Sequence, residues 1–276
     1  MPTVLSGPLE TAGLASTPPA HPRIRMFGVE IDAVRMPDAV AQLLDWIALN
    51  DGVCRYVVTP NVDHAVLLQE YAGLRQAYAE ASLVLADGAP VVLASRLLGR
   101  PLPERVAGSD LVPRLFDAAR SRGPLKVYLL GGMPGVADRA ANNIAERWPQ
   151  IEVVGTASPP VGFERDSEQN AALLAGIAAA HPDLLLVGLG APKQELWVYE
   201  HRESIAARVA LCIGATIDFL AGERKRAPRW MRRCGLEWLY RALGEPRRLG
   251  RRYARDAWIF PRLVWQEWRA TSKRRG

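Results

Sequence analysis

From Ile24 onward, short β-branched runs alternate with longer amphipathic stretches, and this alternation is what most narrows the choice of fold. The strand candidates are Arg25–Ile31, Arg55–Thr59, Leu83–Ala86, Lys126–Leu130, Glu152–Gly155, Leu184–Gly188 and Val209–Ile213. Several are continuous apolar runs, as in "DLLLVGLG", which suits strands covered on both faces. Between them the helical spacing predicts Pro37–Leu49, Val62–Ala79, Ala89–Leu98, Ser109–Ala119, Gly135–Arg147, Ser167–Ala180 and Lys193–His201. This order specifies an α/β layer fold: a mostly parallel, Rossmann-like sheet with helices on both faces. In such a sheet ligands gather outside the carboxyl ends of the strands, so each strand-end loop is a site candidate.

Composition excludes several classes. In 276 residues, 49% hydrophobic and 23% charged, there is enough apolar material for an ordinary core, which argues against wholesale disorder, collagen and a polytopic membrane protein. Cys54, Cys212 and Cys234 are too few and scattered for a disulfide framework and show no zinc-ligand spacing, as expected of a reducing cytoplasm. No uninterrupted apolar run reaches the roughly 18 residues of a spanning helix; the best candidate, Ile205–Ala221, contains Arg208 and Asp218. Residues 1–22 are rich in Pro, Ser, Thr, Gly and Ala, predicting a disordered leader without the pattern of a secretory signal.

The charge is partitioned. Residues 223–276 hold 17 Lys/Arg against 5 Asp/Glu, whereas the rest holds 18 against 24. The expected organisation is therefore a leader over 1–22, an α/β domain over 23–221 and an Arg/Trp-rich appendage over 222–276. Pro228, Pro246 and Pro261 are expected to divide the appendage into short helices.

Five loops carry suggestive residues. In "VVTPNVDHA", Thr59 and Asn61 follow a strand, and Asn61 either caps the next helix or faces a ligand. In "LVLADGAPVV", Asp87 either caps a helix or projects into the cleft as a general base. Gly131 and Gly132 in "KVYLLGGMPGVADRA" form either a tight turn or a phosphate-approaching loop. They lack the G-x-G-x-x-G fingerprint of a dinucleotide site. In "LLLVGLGAPKQELW", Pro192 and Glu195 are ordinary helix-start residues, but the long neutral amide of Gln194 suits a ligand hydrogen bond. Arg105, in "PERVAGSD", is either solvated or a phosphate contact.

Absences narrow the chemistry further. His21, His64, His181 and His201 show no metal-ligand spacing, and His64 is compatible with a helix surface. There is no Asp-x-Asp pair for a divalent metal on phosphate, no G-x-S-x-G elbow and no GK[ST] loop.

Taken in order and spacing, "TPNVDH", "ADGAPVV", "ERVAGSDL", "GLGAPKQELW" and "GATIDFLAG…RAPRWMRRCGLEWLYRALGEPRRLGRRY" resemble the WecG/TagA/CpsF family of bacterial glycosyltransferases, from about Phe27 to Tyr253. The resemblance implies transfer of a sugar from a UDP-sugar to a polyprenyl-diphosphate-linked saccharide, in cell-envelope or exopolysaccharide assembly on the inner face of the membrane. It implies Asp87 as catalytic base, Thr59 and Asn61 lining the acceptor or sugar pocket, and Arg105 on the diphosphate. Gln194 would touch the donor, and Asp218 the uracil edge. Arg241, Arg248 and Arg251 would reach from the appendage to the membrane and the site. The UDP-sugar enters as substrate. No resident cofactor is implied, and with no Asp-x-Asp pair, arginines are expected to stand in for a metal. The donor sugar is open among N-acetylmannosamine, its uronic acid and glucose. The stretch beyond Tyr253 lies outside the resemblance.

That appendage holds Trp230, Trp238, Trp258, Trp265 and Trp268, with Arg241, Arg248, Arg255, Arg262 and Arg269 at seven-residue intervals. Arginine interleaved with tryptophan suits an anionic membrane surface. Single-stranded nucleic acid and a solvated or homo-oligomer face are the rival readings, and nucleic acid is not the expected partner. A nucleotide-dependent oxidoreductase and a non-catalytic assembly scaffold are the alternatives for the whole chain.

Overall fold

The computed structural model describes residues 21–273 apart from 229, 232–235 and 245; the side chains of 241, 242, 246–249 and 273 are also outside the described set. Residues 1–20 of the expected leader likewise lie outside it.

A hairpin, β1 (Arg23–Met26) and β2 (Val29–Asp32), precedes α1 (Met36–Leu49). Then come β3 (Arg55–Val58), α2 (Val62–Glu70), α3 (Ala72–Ala79), β4 (Leu83–Val84), α4 (Ala89–Leu97) and α5 (Gly108–Ala119). Next are β5 (Leu125–Gly131), α6 (Val136–Arg147), β6 (Ile151–Ala157), a 3-10 turn (Phe163–Arg165) and α7 (Ser167–Ala180). β7 (Leu184–Gly188), α8 (Lys193–His201), β8 (Val209–Cys212) and α9 (Thr216–Leu220) complete the α/β body. The appendage contributes α10 (Glu237–Gly244) and α11 (Pro246–Lys273).

The main sheet has six parallel strands in the order β4-β3-β8-β7-β5-β6. Its two faces bury separate apolar clusters. Leu184, Leu186, Val209 and Leu211 point to the side covered by α1, α5, α6 and α9, while Leu185, Val187, Ala210 and Cys212 point to the side covered by α2, α3 and α8. The period-two alternation thus has apolar partners in both directions, which is why these strands read as unbroken hydrophobic runs.

Three local expectations are corrected. The strand expected over Arg25–Ile31 is a hairpin that reverses at Phe27 (φ 54°) and Gly28 (φ 86°). Phe-Gly lacks the Asn or Asp that usually announces such a turn; here the Phe27 ring is buried 5.3 Å from that of Phe260. The helix expected over Val62–Ala79 breaks at Tyr71, whose extended backbone redirects α3 so that Leu74 and Tyr78 join the same cluster as Ala65 and Leu68 of α2. Finally, Pro261 does not end a helix: it sits inside the 28 residues of α11. Phe260, Leu263 and Val264 pack on the core cluster on both sides of it, and tertiary burial of this kind offsets the cost of about 3 kcal/mol for an interior proline.

The hairpin covers the short edge strand. Asp32, buried at the end of β2, accepts from the Val84 backbone N–H (2.8 Å) and from Arg23 Nε (2.9 Å). Burial raises its pKa against the lowering effect of these two donors.

Candidate active site

The carboxyl ends of all six parallel strands open into one cleft of about 1050 Å³. Thr59, Asp87, Gly132, Ser158, Leu189 and Gly214 line it from the loops after β3, β4, β5, β6, β7 and β8 respectively. Trp238 of α10 and Arg252, Tyr253 and Asp256 of α11 line it from the appendage.

One corner is densely charged. Arg105 lies 4.0 Å from the Asp87 carboxylate, forms an ion pair with Asp110 and stands 3.5 Å from Glu237 at the start of α10. Arg226 joins the same group, 2.7 Å from Asp110 and 3.4 Å from Glu237, and donates to the Ser109 carbonyl. The appendage is therefore tied to the core beside Asp87. The Asp87 loop is fixed from below by its backbone N–H, which donates to the Pro60 carbonyl at 2.9 Å. A partly exposed carboxylate in a cleft, with a guanidinium at its flank, can take a proton from a hydroxyl while positive charge remains near for an anionic leaving group.

The floor is a chain of buried polar groups. Asn61 caps α2, its Oδ1 accepting from the His64 backbone N–H at 3.4 Å and lying 3.0 Å from His64 Nδ1. His64 Nε2 is 3.1 Å from Glu195 Oε1, which also accepts from Gln194 Nε2 at 2.6 Å; Gln194 Oε1 in turn accepts from the Gly214 N–H at 3.2 Å. Burial pushes the His64 pKa down, but the carboxylates of Glu195, Asp63 and Asp87 pull it up, and the net shift is upward.

A family comparison decides what this cleft belongs to. The chain matches the glycosyl transferase WecG/TagA/CpsF family over residues 24–274. It is 31% identical over 233 residues to the N-acetylglucosaminyldiphosphoundecaprenol N-acetyl-beta-D-mannosaminyltransferases of Staphylococcus aureus strains MRSA252 and MW2, covering 83% of this chain and 87% of each relative. The chain belongs to the WecG/TagA/CpsF family. It is a glycosyltransferase, and the oxidoreductase and scaffold readings give way to that assignment.

In this family member, Thr59, Asn61, Asp87, Arg105, Gln194 and Asp218, chosen from separate loops, all line the one cleft. Several are also engaged with the protein itself. Thr59 Oγ1 donates to the Cys212 carbonyl at 2.9 Å, joining β3 to β8, and Asp218 pairs with Arg224 at 3.1 Å. Gln194 is buried with both ends of its amide bonded within the wall. Gly132 lines the cleft, but Gly131 does not: a Cβ there would overlap the Gly188 carbonyl, so close strand packing and a φ of 121° explain that glycine without a ligand.

The appendage arginines need the most revision. The side chains of Arg241 and Arg248 fall outside the described residues, and Arg251 is exposed and does not line the cleft. Its neighbour Arg252 does. Arg252 and Arg255 reach Asp63 of α2 at 3.5 and 3.0 Å, and Asp256 is buried beside them. Burial, reinforced by the Asp63 charge, raises the Asp256 pKa to about 6.

Docked, Asp256 keeps a proton that the undocked group releases at its ordinary value near 4. Its contribution to holding α11 down is therefore present at low pH and lost as pH rises from about 4 to about 6. Hydrogen exchange of the α11 amides, corrected for intrinsic rate, should show greater protection at pH 5 than at pH 7, and the difference should vanish in Asp256→Asn. Equal protection in the wild type would contradict this.

Among the described residues, no group of three His, Cys, Asp or Glu is placed to hold a metal ion, and no helix is long and apolar enough to cross a membrane.

Proposed function

We propose that this glycosyltransferase moves a sugar from a UDP-sugar to a polyprenyl-diphosphate-linked saccharide, at the inner face of the cell membrane, by direct displacement with inversion. N-acetylmannosamine leads the donor candidates because the relatives are named for that sugar. Its uronic acid and glucose follow, since discrimination among them rests on a few pocket contacts. The observation that carries the reading is Asp87 in the strand-end cleft beside Arg105, under a roof supplied by α11.

In the proposed step Asp87 takes the proton of the acceptor hydroxyl as its oxygen attacks the anomeric carbon. The bond from that carbon to the diphosphate oxygen breaks, and UDP leaves with the electron pair. Arg105, Lys193, Arg224 and Arg252 line the cleft, and of these Arg105 stands beside Asp87, where the departing diphosphate would need a cation. Metal independence belongs to this proposal.

Helix α11 supports the membrane part. Arg252, Asp256, Phe260, Leu263 and Glu267 form its inward stripe, at three- and four-residue spacing. Arg251, Trp258, Arg262, Trp265 and Arg269 form an exposed outward stripe at similar spacing. Arg262 lies 3.8 Å over the Trp258 ring and Arg269 4.7 Å over that of Trp265. Such a face matches an anionic headgroup layer.

The test is a donor screen with UDP-N-acetylmannosamine, its uronic acid and UDP-glucose on a synthetic polyprenyl-diphosphate N-acetylglucosamine, read by mass spectrometry. One donor should extend the acceptor by one sugar, unaffected by chelator. No product from any donor would reject the reaction. Turnover abolished by chelator and restored by Mg²⁺ or Mn²⁺ would reject metal independence.

A further inference from the structure

The buried pair of His64 and Glu195 at the cleft floor lies outside the step just described, and its geometry gives it a role. We infer that His64 and Glu195 are positioning residues that lock the Asn61 side-chain amide with its oxygen turned inward and its NH2 group turned toward the substrate. This rests on the glycosyltransferase reading of the cleft.

Glu195 is fully buried in the first turn of α8, and its Oε2 has no hydrogen-bond partner among the described residues. A carboxylate in that setting is costly unless a positive group accompanies it. The helix N-terminus supplies part of the compensation, and His64 Nε2 at 3.1 Å supplies the direct contact. The other ring nitrogen distinguishes two states. If Nδ1 carries a proton, it donates to Asn61 Oδ1 at 3.0 Å. If it does not, two lone pairs face each other at that distance, and Nδ1 is left to accept from the Asn61 backbone N–H at the longer 3.4 Å. The doubly protonated ring satisfies Glu195 and Asn61 together. With Oδ1 held by Nδ1–H and by the His64 backbone N–H, the planar carboxamide directs its two N–H donors away from the ring. Asn61 lines the cleft, so those donors suit an oxygen of the sugar or diphosphate.

The groups facing His64 are Glu195 from α8, Asp63 from its own helix, Asp87 from the loop after β4 and the Tyr78 ring of α3, centred 6.3 Å away. Arg252 and Arg255 of α11 sit on Asp63. The carboxylates outweigh burial, and the His64 pKa is raised.

Two measurements test this. The ¹⁵N shifts of the His64 ring, read without substrate, should show both nitrogens protonated at pH 7 in the wild type, and one deprotonated in Glu195→Gln. This readout survives even if no donor proves active, so it separates failure of the present inference from failure of the proposed reaction. With an active donor, His64→Gln and Asn61→Ala should each lower kcat/KM by about tenfold, as for one lost hydrogen bond to substrate. The double variant should lose no more than Asn61→Ala alone, because His64 acts through Asn61. A neutral His64 ring at pH 7 in the wild type, or additive losses in the double variant, would overturn the assignment.

Discussion

Asp87→Asn is expected to lower kcat by about two to four orders of magnitude, the range for a positioned general base, while the fold and the affinity for UDP stay near wild type. The substitution keeps the shape of the side chain and leaves the Asp87 backbone bond to the Pro60 carbonyl intact. What it removes is the proton acceptor and the negative charge beside Arg105. Arg105 stays paired with Asp110 and Glu237, and losing the nearby Asp87 charge lowers the repulsion on an incoming diphosphate, so any change in UDP binding should be toward tighter association. Calorimetric titration of UDP beside the turnover assay separates the two effects. A folded variant that binds UDP and keeps near-normal turnover would reject Asp87 as the base.

The second large effect concerns the outward face of α11. Arg251, Arg262 and Arg269 are exposed on the face opposite the cleft contacts. Each cation near an anionic membrane contributes about 1 kcal/mol, so changing all three to glutamine should weaken partition onto anionic vesicles by roughly a hundredfold. The loss should shrink as salt is raised. Binding to neutral vesicles should be similar in the two proteins, since Trp258, Trp265 and Trp268 remain and only charge is removed. Equal wild-type binding to neutral and anionic vesicles, or to neither, would contradict the membrane reading. A shifted oligonucleotide at physiological salt would favour nucleic acid instead.

Much of this architecture is legible in the chain because local chemistry and global burial agree. The run Leu184–Gly188 reads as a doubly covered strand and is one. Asp87 and Asn61 stand out in the sequence because the ends of parallel strands converge, and both line the cleft. The failures have a common cause: they depend on contacts between distant residues. Nothing local marks Phe27 for a left-handed turn, which is held by packing on Phe260. Pro261 looks like a helix end until its flanks are seen anchored in the core.

His64 and Glu195 are 131 residues apart, and neither stands out alone; only the approach of the first turns of α2 and α8 makes them a buried pair. Arg252 rather than Arg251 faces the cleft because a one-residue step turns a side chain by about 100° on a helix, and the docked face of α11 is set by Asp63 and Phe27.

The configuration of the new glycosidic bond is the most direct test of a single displacement driven by Asp87. With an α-linked UDP-sugar donor, the one-bond C1–H1 coupling at the new anomeric centre, which distinguishes the anomers even for a manno-configured sugar, should report a β linkage. A product that retains the α configuration would contradict the account.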